Sequence, residues 1–176
     1  KELQIADIAC GSGVFLEETY QFLVDYCIEW YLEHEPEHLL ELSNGKKKLP
    51  LTDKKEILTR CIYGVDIDVH AVEVSKFSLL IKLIEDETPA SVRECVPILP
   101  DLSFHIKNGN ALISREDFET DEVEISLLCD IKPFEWEEIN EGRGFDVIVG
   151  NPPYVKTEDI HTLESECEFD IYKKKY

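Results

Sequence analysis

A chain of 176 residues that is 43% hydrophobic can bury a real core and is too apolar to be a disordered segment. Its 38 acidic against 18 basic residues leave a formal charge of −20, which argues against a surface built to neutralise phosphates. No stretch of about 18 apolar residues occurs, so no membrane span is expected, and Lys1-Glu2-Leu3-Gln4 has none of the layout of a signal peptide.

The opening residues run almost straight into a strand, which suggests that something upstream has been cut away. Gln4 to Ile8 is a short apolar run that feeds a turn carrying Gly11 and Gly13. Neither glycine has a Cβ, so the backbone can approach a ligand closely. A helix begins near Val14. Leu16, Tyr20, Leu23, Cys27 and Trp30 recur at steps of three and four as an apolar stripe, which Phe15, Phe22 and Tyr26 are expected to widen. The free N–H groups of its first turn point back at whatever the turn holds. A plain left-handed turn between strand and helix is the alternative reading.

Residues 32–55 read as an insertion. His34-Glu35-Pro36-Glu37-His38 has the spacing of a zinc signature, but that motif needs an unbroken helix and Pro36 interrupts one. Lys46-Lys47-Lys48 is expected to be a solvated loop, and Asp53 to Arg60 a short helix. The six cysteines, Cys10, Cys27, Cys61, Cys95, Cys129 and Cys167, form no Cys-x-x-Cys pair and read as free thiols of a reducing, cytoplasmic protein. No metal site is expected.

Cys61 to Val65 is the second strand signal and ends in Asp66-Ile67-Asp68. A carboxylate at that place is set to accept from a ribose hydroxyl pair, although an Asp at a strand end serves structure as often as function. Asp68 is expected to cap a helix over about 69–83, with Val72, Ser75, Leu79 and Leu83 on one stripe. Residues 85–100 give no clear signal. Ser103 to Lys107 is a third strand running into Asn108-Gly109-Asn110, which is also an ordinary turn sequence. Residues 114–141 are dense in Asp and Glu, broken by Leu127, Leu128, Phe134 and Trp136, and read as a second insertion with a solvated acidic face.

Phe145 to Val149 is the fourth strand, and it stops at Gly150-Asn151-Pro152-Pro153-Tyr154. Proline fixes its own φ and holds the residue before it extended. The Asn151 side-chain oxygen and the Pro152 carbonyl can then converge on one small donor group, with the Tyr154 ring beside them. Two acceptors and an aromatic plate suit an exocyclic amine on a planar ring. Alternation of strands with helices argues for a parallel α/β sheet, and a reversal after the third strand gives the order 3-2-1-4.

The turns Asp7-Ile8-Ala9-Cys10-Gly11-Ser12-Gly13 and Asn151-Pro152-Pro153-Tyr154 together resemble the S-adenosylmethionine-dependent DNA adenine-N6 methyltransferases of the restriction–modification type. The likeness runs from Asp7 to about Tyr172. It implies a Rossmann-like class I methyltransferase fold, here an incomplete catalytic domain with its target-recognition domain absent. It implies S-adenosylmethionine contact by Asp7, Ala9, Cys10, Gly11, Gly13, Asp66, Ile67, Asn110, Ala111 and Asn151. It also implies contact with a flipped base by Asn151, Pro152, Pro153 and Tyr154, with Asn151, Pro152 and Tyr154 catalytic. DNA would be held through regions outside this chain, and a restriction endonuclease or specificity domain is a possible partner. The charge leaves open a methyltransferase for a protein glutamine amide or an RNA base, and a fragment that only binds cofactor.

Overall fold

The computed structural model describes residues 3–42, 44–118, 128, 130–140, 142–152 and 166–175. Its main sheet has four strands: β1 (Ile5–Asp7), β4 (Ile62–Asp66), β5 (Ile106–Asn108) and β6 (Val147–Val149). They run in the order β5-β4-β1-β6, and every pairing is parallel. A small antiparallel hairpin, β2 (Leu40–Glu41) with β3 (Lys47–Lys48), stands apart from it. Parallel strands need crossovers, and these are supplied by α1 (Val14–His34), α2 (Leu51–Cys61) and α3 (Val69–Ile84). Two further helices are α4 (Pro89–Glu94) and α5 (Glu166–Lys175).

The strand period of two divides β4 between two cores. Ile62 joins Leu16, Tyr20, Val24, Leu58, Val72, Leu79 and Leu83 beneath the helices. Tyr63 and Val65 turn the other way and meet Ala6, Phe134 and Ile139. The sheet is thus covered on both faces, which is why its strands read as unbroken apolar runs. The acidic stretch after Ser114 is therefore not solvated throughout, because Ile131, Phe134 and Ile139 within it are buried. Leu127 lies outside the described residues.

The α1 stripe is narrower than its sequence suggests. Leu16, Tyr20 and Val24 are buried, while Phe15, Phe22, Tyr26 and Trp30 are exposed. Phe22 and Tyr26 each lie two residues past a buried position, about 200° round the helix. The α3 stripe is the expected one, and Asp68 caps it by accepting the His70 N–H at 2.8 Å. Residues 85–100, without a clear signal in sequence, contain α4, capped by reciprocal Thr88 and Ser91 bonds.

The region read as an insertion is tied to the core by Leu39, Leu49 and Leu51, all buried. The lysine run is a strand and not a solvated loop. Lys48 and Lys54 both donate to the buried Glu87 carboxylate, at 2.7 and 2.9 Å. Burial pushes Glu87 up, but the Lys48, Ser91 and Lys54 hydrogen bonds outweigh it and hold the carboxyl below its usual range. At the zinc-like signature, α1 ends at His34, whose Nδ1 donates to the Trp30 carbonyl, while His38 bonds Asp53.

His105 precedes β5 and donates from Nε2 to the Thr59 carbonyl at 2.6 Å, leaving Nδ1 buried without a partner. Burial chiefly pulls its pKa below the usual value, reinforced by Lys107 and opposed by the Thr59 bond and Asp101. The folded state therefore favours the neutral ring, and this contribution is complete above the unfolded value of about 6.5 and is lost as pH falls below it. Urea midpoints compared between pH 7.5 and 5.5 should fall further for the wild type than for His105→Gln. Equal falls would show that His105 does not titrate with unfolding.

Candidate functional site

The carboxyl ends of β1, β4 and β6 meet at one rim. Asp7 ends β1 and is 1% exposed. Its Oδ1 accepts the Ala9 N–H at 3.0 Å, which bends the chain into the glycine turn. Burial raises the Asp7 pKa, the Ala9 bond opposes that, and neighbouring Asp66 adds to the rise. The turn is closed by Cys10 N–H donating to the Val65 carbonyl at 3.0 Å and Gly13 N–H to the Cys10 carbonyl at 2.8 Å.

Gly11 and Gly13 both have positive φ, +53° and +91°. A Cβ at Gly11 would meet nothing within 4 Å, so the backbone there faces open space. A Cβ at Gly13 would lie 2.5 Å from Ser75 Oγ, so Gly13 is demanded by packing against α3. Gly13 is also the N-cap of α1 and leaves the first N–H groups of that helix without a side-chain cap.

Asp66 links the second strand to the turn. One oxygen accepts the Gly11 N–H at 2.7 Å, and the other accepts the Asp68 N–H at 2.9 Å. Asn108 Nδ2 donates to the carbonyls of Asp66 and Ile67, both at 2.9 Å, and Lys132 Nζ to that of Ile67 at 3.0 Å. The Ile67 side chain is left 48% exposed at the rim. Cys10 is buried, and burial with the fields of Asp66 and Asp7 pushes its thiol up to about 12. It is inert as a nucleophile at neutral pH.

β6 lies beside β1 with Asp7 opposite Val149. Gly150 follows at φ +146°, and a Cβ there would stand 2.5 Å from Asp7 Oδ1. Asn151 and Pro152 come next and are exposed. Pro153 and Tyr154 lie outside the described residues. The structure thus brings Asp7, Ala9, Cys10, Gly11, Gly13, Asp66 and Ile67 to the rim on which Asn151 and Pro152 stand.

Asn110 is placed differently. It follows β5, is 5% exposed, and both its amide hydrogens are taken by α5, through Glu168 at 2.8 Å and the Tyr172 hydroxyl at 2.9 Å. Burial raises the Glu168 pKa, against the bonds from Tyr172 and Asn110. Ala111 is half-buried, and its carbonyl accepts the Trp136 indole N–H at 3.0 Å. Leu112 is 43% exposed.

Two glycines at the site carry more than the sequence reading assigned. Gly64 lies under the turn, where a Cβ would meet Leu16 at 2.8 Å and Cys10 at 3.2 Å. A glycine inside an apolar strand is itself a sign of close approach. Gly150 has the same role toward Asp7.

A parallel sheet whose rim joins an acidic glycine turn to an Asn-Pro turn has the parts of a restriction–modification methylase. The model of the Eco57I restriction-modification methylase family matches residues 60–176, and the chain belongs to that family. It is 42% identical over 173 residues, 98% of its length, to the type II restriction enzyme and methyltransferase RM.Eco57I of Escherichia coli, covering 16% of that protein. It is 32% identical over 130 residues, 73% of its length, to RM.MjaORFECS2P of Methanocaldococcus jannaschii, provisionally named a type II restriction enzyme and methyltransferase, covering 10% of it. It is 25% identical over 174 residues, 90% of its length, to the adenine-specific methyltransferase PglX of Streptomyces coelicolor, covering 13% of that protein. The chain therefore spans a sixth or less of these relatives.

Proposed function

We propose that these residues are the cofactor-binding half and target-base turn of a DNA methyltransferase with a Rossmann-like class I fold. It transfers a methyl group from S-adenosylmethionine to the N6 amine of a flipped adenine in a restriction–modification system. The observation that carries this is the contact of Gly150 with the Asp7 carboxylate, which puts Asn151 and Pro152 beside the glycine turn. The relatives' names point the same way: two are combined restriction enzymes and methyltransferases, and a third is adenine-specific.

The residues present fit the cofactor. Open space over Gly11, two carboxylates at Asp7 and Asp66, and the apolar Ile67 side chain suit a cationic nucleoside. Asp66 would accept from ribose hydroxyls, and Ile67 with Ala111 would lie against the adenine. S-adenosylmethionine supplies an electrophilic methyl on a sulfonium. The chain's own task is to prepare the nucleophile. Asn151 Oδ1 and Pro152 O accept the two N6 protons and draw the nitrogen toward tetrahedral geometry, so that its lone pair localises. Tyr154 would stack on the base, which has to leave the duplex to reach this rim. Most of the gain is positioning and electrostatics.

Asp66→Ala removes a charged acceptor from Gly11 N–H and from the ribose site, so S-adenosylmethionine affinity should fall about tenfold to a hundredfold by calorimetry. Unchanged affinity would place the cofactor elsewhere. The charge of −20 favours a second reading, a protein glutamine amide or RNA substrate. Incubation of the full-length protein with labelled cofactor and duplex DNA, RNA or peptide separates the two. N6-methyladenine in DNA is the expected product, and label confined to peptide or RNA would overturn the first reading.

A further inference from the structure

Asn110 has its amide committed on both sides. Nδ2 donates to Glu168 Oε1 and to the Tyr172 hydroxyl, while Oδ1 accepts the Leu112 N–H at 3.1 Å. The Tyr172 hydroxyl donates in turn to the same Glu168 oxygen at 3.1 Å. A half-turn of an amide exchanges its acceptor for its donors with almost no change of shape. Here the turned form fails twice. Its oxygen would face the Glu168 carboxylate, and its NH2 would face the Leu112 N–H. With Asn110 5% and Glu168 8% exposed, water offers little relief.

We propose that Glu168 and Tyr172 are positioning residues that lock Asn110 as a hydrogen-bond acceptor, and so make the cofactor pocket select a 6-amino purine over a 6-oxo purine. This rests on the reading of Asn110 as the residue that faces the cofactor's adenine. A carbonyl oxygen has two lone pairs, and Leu112 N–H takes one of them. The second matches the N–H of a 6-amino group. A 6-oxo group in the same place would set acceptor against acceptor.

The test is calorimetric binding of S-adenosylhomocysteine and S-inosylhomocysteine to the full-length protein, with no methyl transfer involved. The wild type should prefer the adenine form about tenfold or more, the scale of one unpaired buried acceptor. Glu168→Leu with Tyr172→Phe frees the amide to turn, and the preference should fall about fivefold, with the inosine form gaining. Glu168→Gln, which can still offer an oxygen to Asn110, should keep it. An unchanged preference in the double variant overturns the proposal. If that variant does not fold, Tyr172→Phe alone decides: a preference about threefold lower supports the lock, and the wild-type value overturns it. Equal binding of both compounds by the wild type overturns the proposal while leaving the cofactor site standing. No binding of either removes the cofactor reading along with it.

Discussion

Asn151→Ala in the full-length protein is expected to lower kcat for DNA methylation by a factor of about 10²–10³, the usual effect of losing one preorganised polar partner of a transition state. The dissociation constant for S-adenosylmethionine should stay within about twofold, because the lost acceptor acts on the base amine and not on the nucleoside. The split follows from the geometry. Asn151 is exposed beyond β6, one residue past Gly150, whereas the glycine turn and Asp66 are held by their own hydrogen bonds on β1 and β4. Removing the Asn151 amide breaks none of those bonds. Single-turnover methylation with labelled cofactor, beside calorimetric titration of the cofactor, reads both quantities. Retained methylation would remove the role given to Asn151. Equal loss of affinity and rate would make it a cofactor ligand instead.

Gly150→Ala should damage both stability and activity. The residue stands at φ +146°, a conformation L side chains rarely adopt, and the new methyl would lie 2.5 Å from Asp7 Oδ1 and 3.0 Å from Asp7 Cγ. Asp7 has little room to yield, since it is 1% exposed and its Oδ1 holds the Ala9 N–H. Strain of this kind costs about 1–3 kcal/mol, and each kcal/mol lowers Tm by about 2–4 °C in a domain of this size. Relief can come only by moving the β6 tip or by opening the turn. A displacement of about 1 Å between reacting groups can cost about a hundredfold in rate. Thermal melts together with kcat/KM test both parts. A variant with wild-type Tm and wild-type rate would mean that Asp7 and Gly150 are not in contact in the working enzyme.

Much of the framework was legible in the sequence because it rests on local rules. Apolar runs bounded by glycine or acidic residues marked the four sheet strands. Val72, Ser75, Leu79 and Leu83 announced the buried face of α3, and all four are buried. Asp68 read as a cap and is one. Those inferences need only the period of a helix or strand and the chemistry of its ends. The errors arose where a residue's neighbours come from far along the chain. Phe22 and Tyr26 are apolar at plausible spacings, yet they are exposed in this structure. Lys48 looked solvated until Glu87, 39 residues on, proved to be its partner.

The sequence by itself determined which chemical groups are available: an acidic glycine turn, a carboxylate after the second strand, and an amide with a proline carbonyl after the fourth. Chain order and residue type suffice for that, because a turn's backbone follows from its glycines and prolines. Only the tertiary structure decided which groups meet. Parallel pairing of β1 with β6 joins residues more than 140 positions apart, so that Gly150 rests on Asp7. Packing of α5 turns Asn110 inward. Neither contact leaves a local mark, since each is set by the register of distant strands and the docking of a distant helix.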